Sequence, residues 1–468
     1  MTRHTWTLLE EHRATLQRTL LRDEKEYAAL ILCGRSSVVD PWTGVREERF
    51  VTHKVIEVDP SAFSSRSRDG LTWSTTPFYN LLKAAEEKNF AVGVIHSHPQ
   101  GPLKFSKHDD VADKELFRIA FDRLDGDGPH FSAVMDGNGN LIARAYSSNL
   151  KPFPVEFIRV IGDRWRFHYP RATQPPAAEL DRQARAFGEE STHDLRQLRV
   201  GIVGCGGMGS AVIALLARIG VGKLAFFDFD RIEETNLNRV HFSTRADASL
   251  RRHKVDVMAE AVAQLGLPVS LVRVPYTVDD PRARDALLSC DVLLGCTDDH
   301  LGRNVLNRVA HCYLFPVIDL GLLIEPNSSK GYDVFDGRVT VVQPGYPCQE
   351  CRGLINPSMM LAEALLRKDP LLYEQRRRAG YIPSMPEASP VVVTFTTEMA
   401  AVAVNELFQR LTGFRGTDGS VAERVRKFDE TRDFECHPAA TPRPDCKLCG
   451  NRKYDGRGDM PLFLDIAP

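Results

Sequence analysis

The stretch LRVGIVGCGGMGSAVIALLARIG, residues 198–220, constrains the fold more than any other part of the chain. Its first residues are a short apolar run without alternation, the pattern of a strand buried on both faces. A glycine-rich turn follows, then an apolar helix over 207–220, then a second buried run, KLAFFD, at 223–228. Two buried strands joined through a helix are parallel, and a parallel sheet needs helices on both faces. Helix and strand signals continue in alternation to FPVIDLG (315–321), so the expected architecture here is a doubly wound parallel sheet. Gly204, Gly206 and Gly209 in the turn let backbone amides approach a phosphate at the helix N-terminus.

The rest of the chain has a different grammar. At 468 residues it exceeds what one core usually supports, so two domains are expected. Residues 5–21 carry Trp6, Leu8, Leu9, Leu16, Leu20 and Leu21 at mostly helical spacing and are read as a helix. Strand signals follow at 27–34, 49–58, 90–95, 131–136 and 140–146, with helices near 77–88 and 107–124. The proline-bearing stretch YPRATQPPAAE marks a linker. The expected organisation is therefore α/β throughout: a mixed α/β unit over 1–165, a linker over 166–180, and the doubly wound domain over 181–468. With 60 basic and 62 acidic residues the chain has no bulk attraction to nucleic acid or anionic membrane. No segment reads as a signal peptide or a membrane span, and the cysteines suit a reduced compartment, so a cytoplasmic location is expected.

In the first unit, IHSHPQGPLKFSKHDD (95–110) follows the run FAVGV. His96 and His98 are two apart at a strand end, so their rings share one face. Ser106 and Asp109 are three apart at a helix start and share its first turn. Two imidazoles and a carboxylate on one open side are the ligand count of a catalytic zinc, whose remaining position holds water. Taken singly, the Ser106–Asp109 pair is as readily a helix capping box and the histidines two surface rings; together at this spacing they favour metal.

The run His-x-His, seven residues, Ser, two residues, Asp resembles the motif of the JAMM (JAB/MPN) metalloisopeptidases. That resemblance implies zinc held by His96, His98 and Asp109, and Ser106 donating to the oxyanion. It also implies an upstream glutamate as general base, which by position resembles Glu26, with Glu24 and Glu57 as the alternatives for that role.

In the second unit Asp228, at the end of the next strand, suits a ribose hydroxyl, as it would in a nicotinamide dehydrogenase. DFDRIEETNLNR then adds Asp230, Asn236 and Arg239 in one loop, more than a dinucleotide ribose needs; Lys254 and the CTDDHLGRN run with Asp298 follow. In that order these residues resemble the ThiF/MoeB adenylyltransferases, relatives of the ubiquitin-activating enzymes, along most of 181–468. The resemblance implies ATP and Mg2+ as cofactors, with Asn236, Arg239 and Lys254 on the adenylate and phosphates and Asp298 on the magnesium. It also implies an arginine, Arg182, reaching a neighbouring protomer's site, hence a homodimer; the competing reading of Arg182 is a solvated helix residue.

Cys348-x-x-Cys351 and Cys446-x-x-Cys449 have the paired spacing of a closed structural zinc site. Relatives that carry substrate as a thioester place a cysteine in the crossover after the first pair; residues 352–390 contain none. The expectation is an enzyme of a bacterial-type ubiquitin-like pathway. Its second domain would adenylate the Gly-Gly-type C-terminus of a carrier protein and pass it to a conjugating-enzyme-like or sulfurtransferase acceptor. Its first would trim or deconjugate that carrier. The alternatives are sulfur-carrier activation for thiamine- or molybdopterin-type cofactor synthesis, and a scaffold with an inactive peptidase half.

Overall fold

The computed structural model describes residues 2–459 except 69, 127, 170–176, 328–330, 386–389, 417–418, 431–433 and 438–440. The first domain begins with β1 (Thr2–Leu9), α1 (Glu10–Leu20), β2 (Ala28–Val39), β3 (Arg46–Glu57) and the hairpin β4 (Phe63–Arg66) and β5 (Leu71–Trp73). It continues through α2 (Thr76–Glu86), β6 (Ala91–His98), α3 (Lys107–Arg123), β7 (His130–Asp136), β8 (Leu141–Tyr146), β9 (Pro152–Ile161) and β10 (Arg166–His168). The strands run β1-β3-β2-β6-β7-β8-β9, and β9 returns to pair with β1, so the sheet closes on itself. Closure removes the exposed strand edges that an open sheet of this size would leave.

Residues 5–9 were expected in a helix and instead belong to β1. That strand lies parallel to both β3 and β9 in the middle of the closed sheet. His4 to Leu9 are all buried, so the period-2 alternation that marks a strand is missing, and the helix begins only at Glu10. The stretch expected as linker opens with β10, which pairs antiparallel with β9; residues 170–176 lie outside the described residues.

The second domain opens with α4 (Asp181–Phe187) and α5 (Glu189–Gln197), then β11 (Arg199–Val203), α6 (Gly207–Arg218), β12 (Lys223–Phe227), α7 (Arg245–Ser249), α8 (Lys254–Gln264) and β13 (Ser270–Val274). After these come α9 (Arg284–Ser289), β14 (Val292–Gly295), α10 (His300–Cys312), β15 (Val317–Asn327) and β16 (Gly331–Val342). The crossover helices α11 (Pro357–Lys368) and α12 (Pro370–Arg378), the long α13 (Val393–Thr412), β17 (Glu423–Lys427) and β18 (Glu435–His437) complete it. The order is β13-β12-β11-β14-β15-β16-β17-β18, parallel as far as β15 and antiparallel beyond. Strand order reverses between β12 and β14 on either side of β11, the place where an open α/β sheet leaves a crevice at its strand ends.

Buried charge joins the two domains. Glu47, Arg49 and Arg159 of the closed sheet meet Arg199 and Asp291 of the open one, all under a tenth exposed. Arg199 Nη2 donates to Asp291 Oδ1 at 2.8 Å and its Nη1 to Glu47 Oε2 at 2.9 Å, while Arg159 Nε donates to Asp291 Oδ1 at 3.1 Å. The C-terminal segment also crosses between domains: Gly34 N donates to Gly456 O at 3.0 Å and Asp459 N to Arg35 O at 2.8 Å. Among the described residues no helix is long and apolar enough to cross a membrane.

Candidate functional sites

The first site forms where β6 ends and α3 begins. Ser106 caps α3: its Oγ accepts from Asp109 N at 3.2 Å, and its own N donates to Asp109 Oδ2 at 2.6 Å. This capping box turns Asp109 toward the sheet, where Oδ1 lies 3.2 Å from His96 Nε2 and Oδ2 lies 3.7 Å from His98 Nε2. The two imidazole Nε2 atoms are 3.1 Å apart. Tetrahedral zinc with bonds of about 2.0–2.1 Å holds such ligand atoms about 3.3 Å apart, so the donor set fits the metal. His98 Nδ1 faces the Pro102 carbonyl at 3.3 Å, the partner that directs Nε2 toward a metal. Burial works against the Asp109 carboxylate, yet hydrogen bonds and charge from His96 and bonds from Ser106 hold it well below the ordinary carboxylate range. The capping box that closes α3 is thus also what turns the Asp109 carboxylate toward the histidines.

Glu26 lies just before β2, buried, with Oε1 at 3.7 Å from His98 Nε2. Glu24 and Glu57 face outward, paired with Arg68 and Arg22 respectively. Of the three glutamates, Glu26 alone is placed beside the histidines.

The second site is a cavity of about 270 Å³ at the strand-end crevice, lined by Gly204, Gly206, Asp228, Asp230, Arg239, Lys254 and Asp298 among others. The glycines differ in what they permit. A Cβ on Gly209 would sit 1.8 Å from the Gly204 carbonyl oxygen, whereas one on Gly206 would meet nothing within 4 Å. Gly209 is needed for packing of the turn, and Gly206 leaves open space over a helix N-terminus, the cradle a phosphate takes. Asp228 Oδ2 accepts from Cys205 N at 2.6 Å and its Oδ1 from Asp230 N at 2.8 Å, which fixes the carboxylate at the end of β12. Burial raises its pKa. Lys254 Nζ donates to Asp230 Oδ2 at 2.7 Å; although burial opposes the charge, Asp228 and Asp230 raise its pKa and keep it cationic.

Asn236 is turned differently: its Oδ1 accepts from Glu233 N at 3.2 Å within its own turn. Asp298 is exposed at the pocket edge, and its carbonyl accepts from Arg303 Nη1 at 3.4 Å. Arg182 is exposed on α4 and does not line the cavity of its own chain. Three further residues at the pocket were not legible beforehand: Asp299, which caps α10, and Arg303 and Arg367, which reach in from α10 and α11. No short motif marks them.

The cysteine pairs, far apart in sequence, come together. Cys348 Sγ lies 3.6 Å from Cys446 Sγ and Cys351 Sγ 3.4 Å from Cys449 Sγ, with all four within 4.8 Å of one another. A tetrahedral zinc with bonds of about 2.3 Å separates its sulfurs by about 3.8 Å, so these thiols fit a structural zinc.

Residues 180–448, more than half of the chain, match the ThiF family, and residues 8–147 match the prokaryotic homologs of the JAB domain. The chain belongs to the ThiF family and carries a JAB-type domain in front of it. It is 32% identical over 169 residues to the molybdopterin-synthase adenylyltransferase of Escherichia coli, 36% of this chain and 63% of that protein. The chain thus spans less than two thirds of that relative's length. It is 27% identical over 300 residues to the SAMP-activating enzyme E1 of Haloferax volcanii, 62% of this chain and 96% of that protein. Among solved structures, E. coli MccB with ATP matches at a TM-score of 0.43 and 18% identity over 60% of this chain and 76% of that one.

Proposed function

We propose that the protein activates the C-terminal carboxylate of a ubiquitin-like or sulfur-carrier protein with ATP, and hydrolyses a bond following such a C-terminus with its JAB-type domain. The observation that carries the first half is the crevice itself. An open glycine cradle, a fixed carboxylate at the end of β12 and a lysine held cationic lie around one cavity. In this reading the amides near Gly206 hold phosphate, and Asp228 accepts from a ribose hydroxyl. Lys254 and Arg239 oppose the charge that develops as pyrophosphate leaves the carrier's carboxylate, and Asp298 would hold the magnesium. Arg182, which is exposed and does not line the cavity of its own chain, would serve a second protomer.

In the JAB-type domain His96, His98 and Asp109 would hold zinc, which supplies a water acidified toward neutrality. Glu26 takes a proton at Oε1, and Ser106, whose Oγ accepts from Asp109 N, keeps its own hydroxyl hydrogen to donate to an oxyanion. Outside the four-cysteine group, Cys33, Cys205, Cys290, Cys296 and Cys312 are buried, and burial pushes each thiol up, Cys312 to about 12. Cys436 is exposed, but at β18 on the far edge of the sheet. Transfer of the adenylate to a separate acceptor follows more naturally than a thioester on this chain. The similarity to a molybdopterin-synthase adenylyltransferase favours a second reading, in which the carrier delivers sulfur for cofactor synthesis. Incubation with a carrier–reporter fusion tests the peptidase half: release of the reporter that Glu26→Gln abolishes supports it, and release unaffected by that change sinks it.

A further inference from the structure

The crossover helix α11 lies at the nucleotide crevice and is fastened there by two contacts one turn apart, a carboxylate on backbone amides and a guanidinium between two carboxylates. Glu363, buried to 5% exposure, accepts from the backbone N of His300 at 3.0 Å and of Leu301 at 2.8 Å, so it caps the start of α10 from outside. Arg367, four residues on and on the same face of α11, lines the cavity. Its Nη2 donates to Asp299 Oδ2 at 2.5 Å, its Nη1 to Asp279 Oδ1 at 3.3 Å, and the guanidinium lies 5.5 Å from the Phe229 ring centroid. Asp299 follows β14 and Asp279 follows β13, so one side chain ties the two loops that flank the crevice.

The chemistry of a nucleotide in this crevice shows what that tie does. Phosphates at the glycine turn after β11 and a ribose at Asp228 place the base past β12 toward β13, where Phe229, Tyr276 and Val278 line the cavity. Phe229 is 50% exposed, an apolar face left open at the cavity mouth. Asp279 and Asp299 would be two uncompensated carboxylates beside a polyanionic ligand without the guanidinium between them. We propose that Arg367 is a positioning residue of the nucleotide site: it sets the separation of the Asp279 and Asp299 loops and cancels their charge, so that a purine nucleoside triphosphate enters beneath it against Phe229. The inference rests on the reading of this crevice as an ATP site. It makes α11, which follows the first cysteine pair along the chain, part of the nucleotide site. Glu363 holds the helix in place independently, so truncating Arg367 leaves α11 docked.

Calorimetric titration of full-length protein with Mg-ATP, alongside carrier-dependent pyrophosphate–ATP exchange, tests this. Arg367→Ala is expected to weaken Mg-ATP binding about tenfold, raising KM for ATP while kcat at saturating ATP stays within about twofold of wild type. Arg367→Lys, which keeps the charge but can pair with only one carboxylate at a time, is expected to recover part of the loss. An Arg367→Ala protein that binds Mg-ATP as tightly as wild type overturns the inference. Equal losses in Arg367→Lys and Arg367→Ala overturn the charge argument on which it stands. A wild-type protein that binds no Mg-ATP overturns the reading of the crevice, and this inference with it.

Discussion

Asp291→Ala is expected to destabilise the protein more than any other single truncation outside the two candidate sites. Its carboxylate is fully buried and accepts from Arg199 N and Nε at 3.1 Å, Arg199 Nη2 at 2.8 Å, Arg159 Nε at 3.1 Å and the Tyr169 hydroxyl at 3.2 Å. Around it Arg49, Arg159 and Arg199 face Glu47, Asp40 and Asp291, so charge balances within the cluster. Truncation leaves an uncompensated guanidinium in an interior that cannot solvate it. Removing one partner of a buried pair costs about 3–5 kcal/mol, a large part of a whole domain's stability. Because the cluster joins both domains, urea unfolding followed through Trp6 inside the closed sheet and through Trp165, whose indole Nε1 donates to Gln343 Oε1 of the second domain at 3.0 Å, should show both signals moving together. The pH dependence follows with a definite sign. Burial alone would raise the Asp291 carboxyl, but Arg199 and Arg159 more than offset it and hold it at about 2, against 3.8 for the free group. The stabilisation is present above pH 3.8 and is lost as pH falls toward 2, a loss that Asp291→Asn should not share. A cost for Asp291→Ala under about 1 kcal/mol, the worth of an exposed ion pair, would refute the reasoning.

Gly209→Ala should fail to fold or melt well below wild type in a thermal scan, because its Cβ would lie 1.8 Å from the Gly204 oxygen; Gly206→Ala, with open space at that point, should melt as wild type yet lose Mg-ATP affinity in titration. Ser106→Ala removes the α3 cap and is expected to cost about 1 kcal/mol in denaturant unfolding, while metal analysis still finds the histidine site loaded. Cys446→Ser should lower bound zinc by about one equivalent and open the segment after Cys446 to limited proteolysis, with Mg-ATP binding retained.

What the sequence made legible follows from whether a signal is local. The glycine turn, the His-x-His run and the two C-x-x-C pairs each declare themselves within a few residues, and the structure brings each set together. β1 was misread because it is buried on both faces and its apolar residues run straight into the α1 pattern. β9 lacks a plain strand signal because it opens with Pro152 and Pro154, which cannot donate to a ladder, and only these first residues face β8. The Glu47–Arg199–Asp291 cluster was invisible for another reason. Its members are separated by up to 244 positions, and nothing in a charged residue's neighbours shows that a domain interface will bury it. Arg367 belongs with these: its value depends on where α11 lands relative to Asp279 and Asp299, which topology decides.

The most direct test is a single-turnover reaction of the full chain with Mg-ATP and a carrier protein ending in Gly-Gly, with release of pyrophosphate and mass of the carrier read together. The account predicts pyrophosphate only when the carrier is present, a carrier bearing AMP on its C-terminal carboxylate, loss of both in Asp298→Ala, and retention of both in His98→Ala. Nucleotide turnover that ignores the carrier, or an Asp298→Ala protein that still forms the acyl-adenylate, would contradict it.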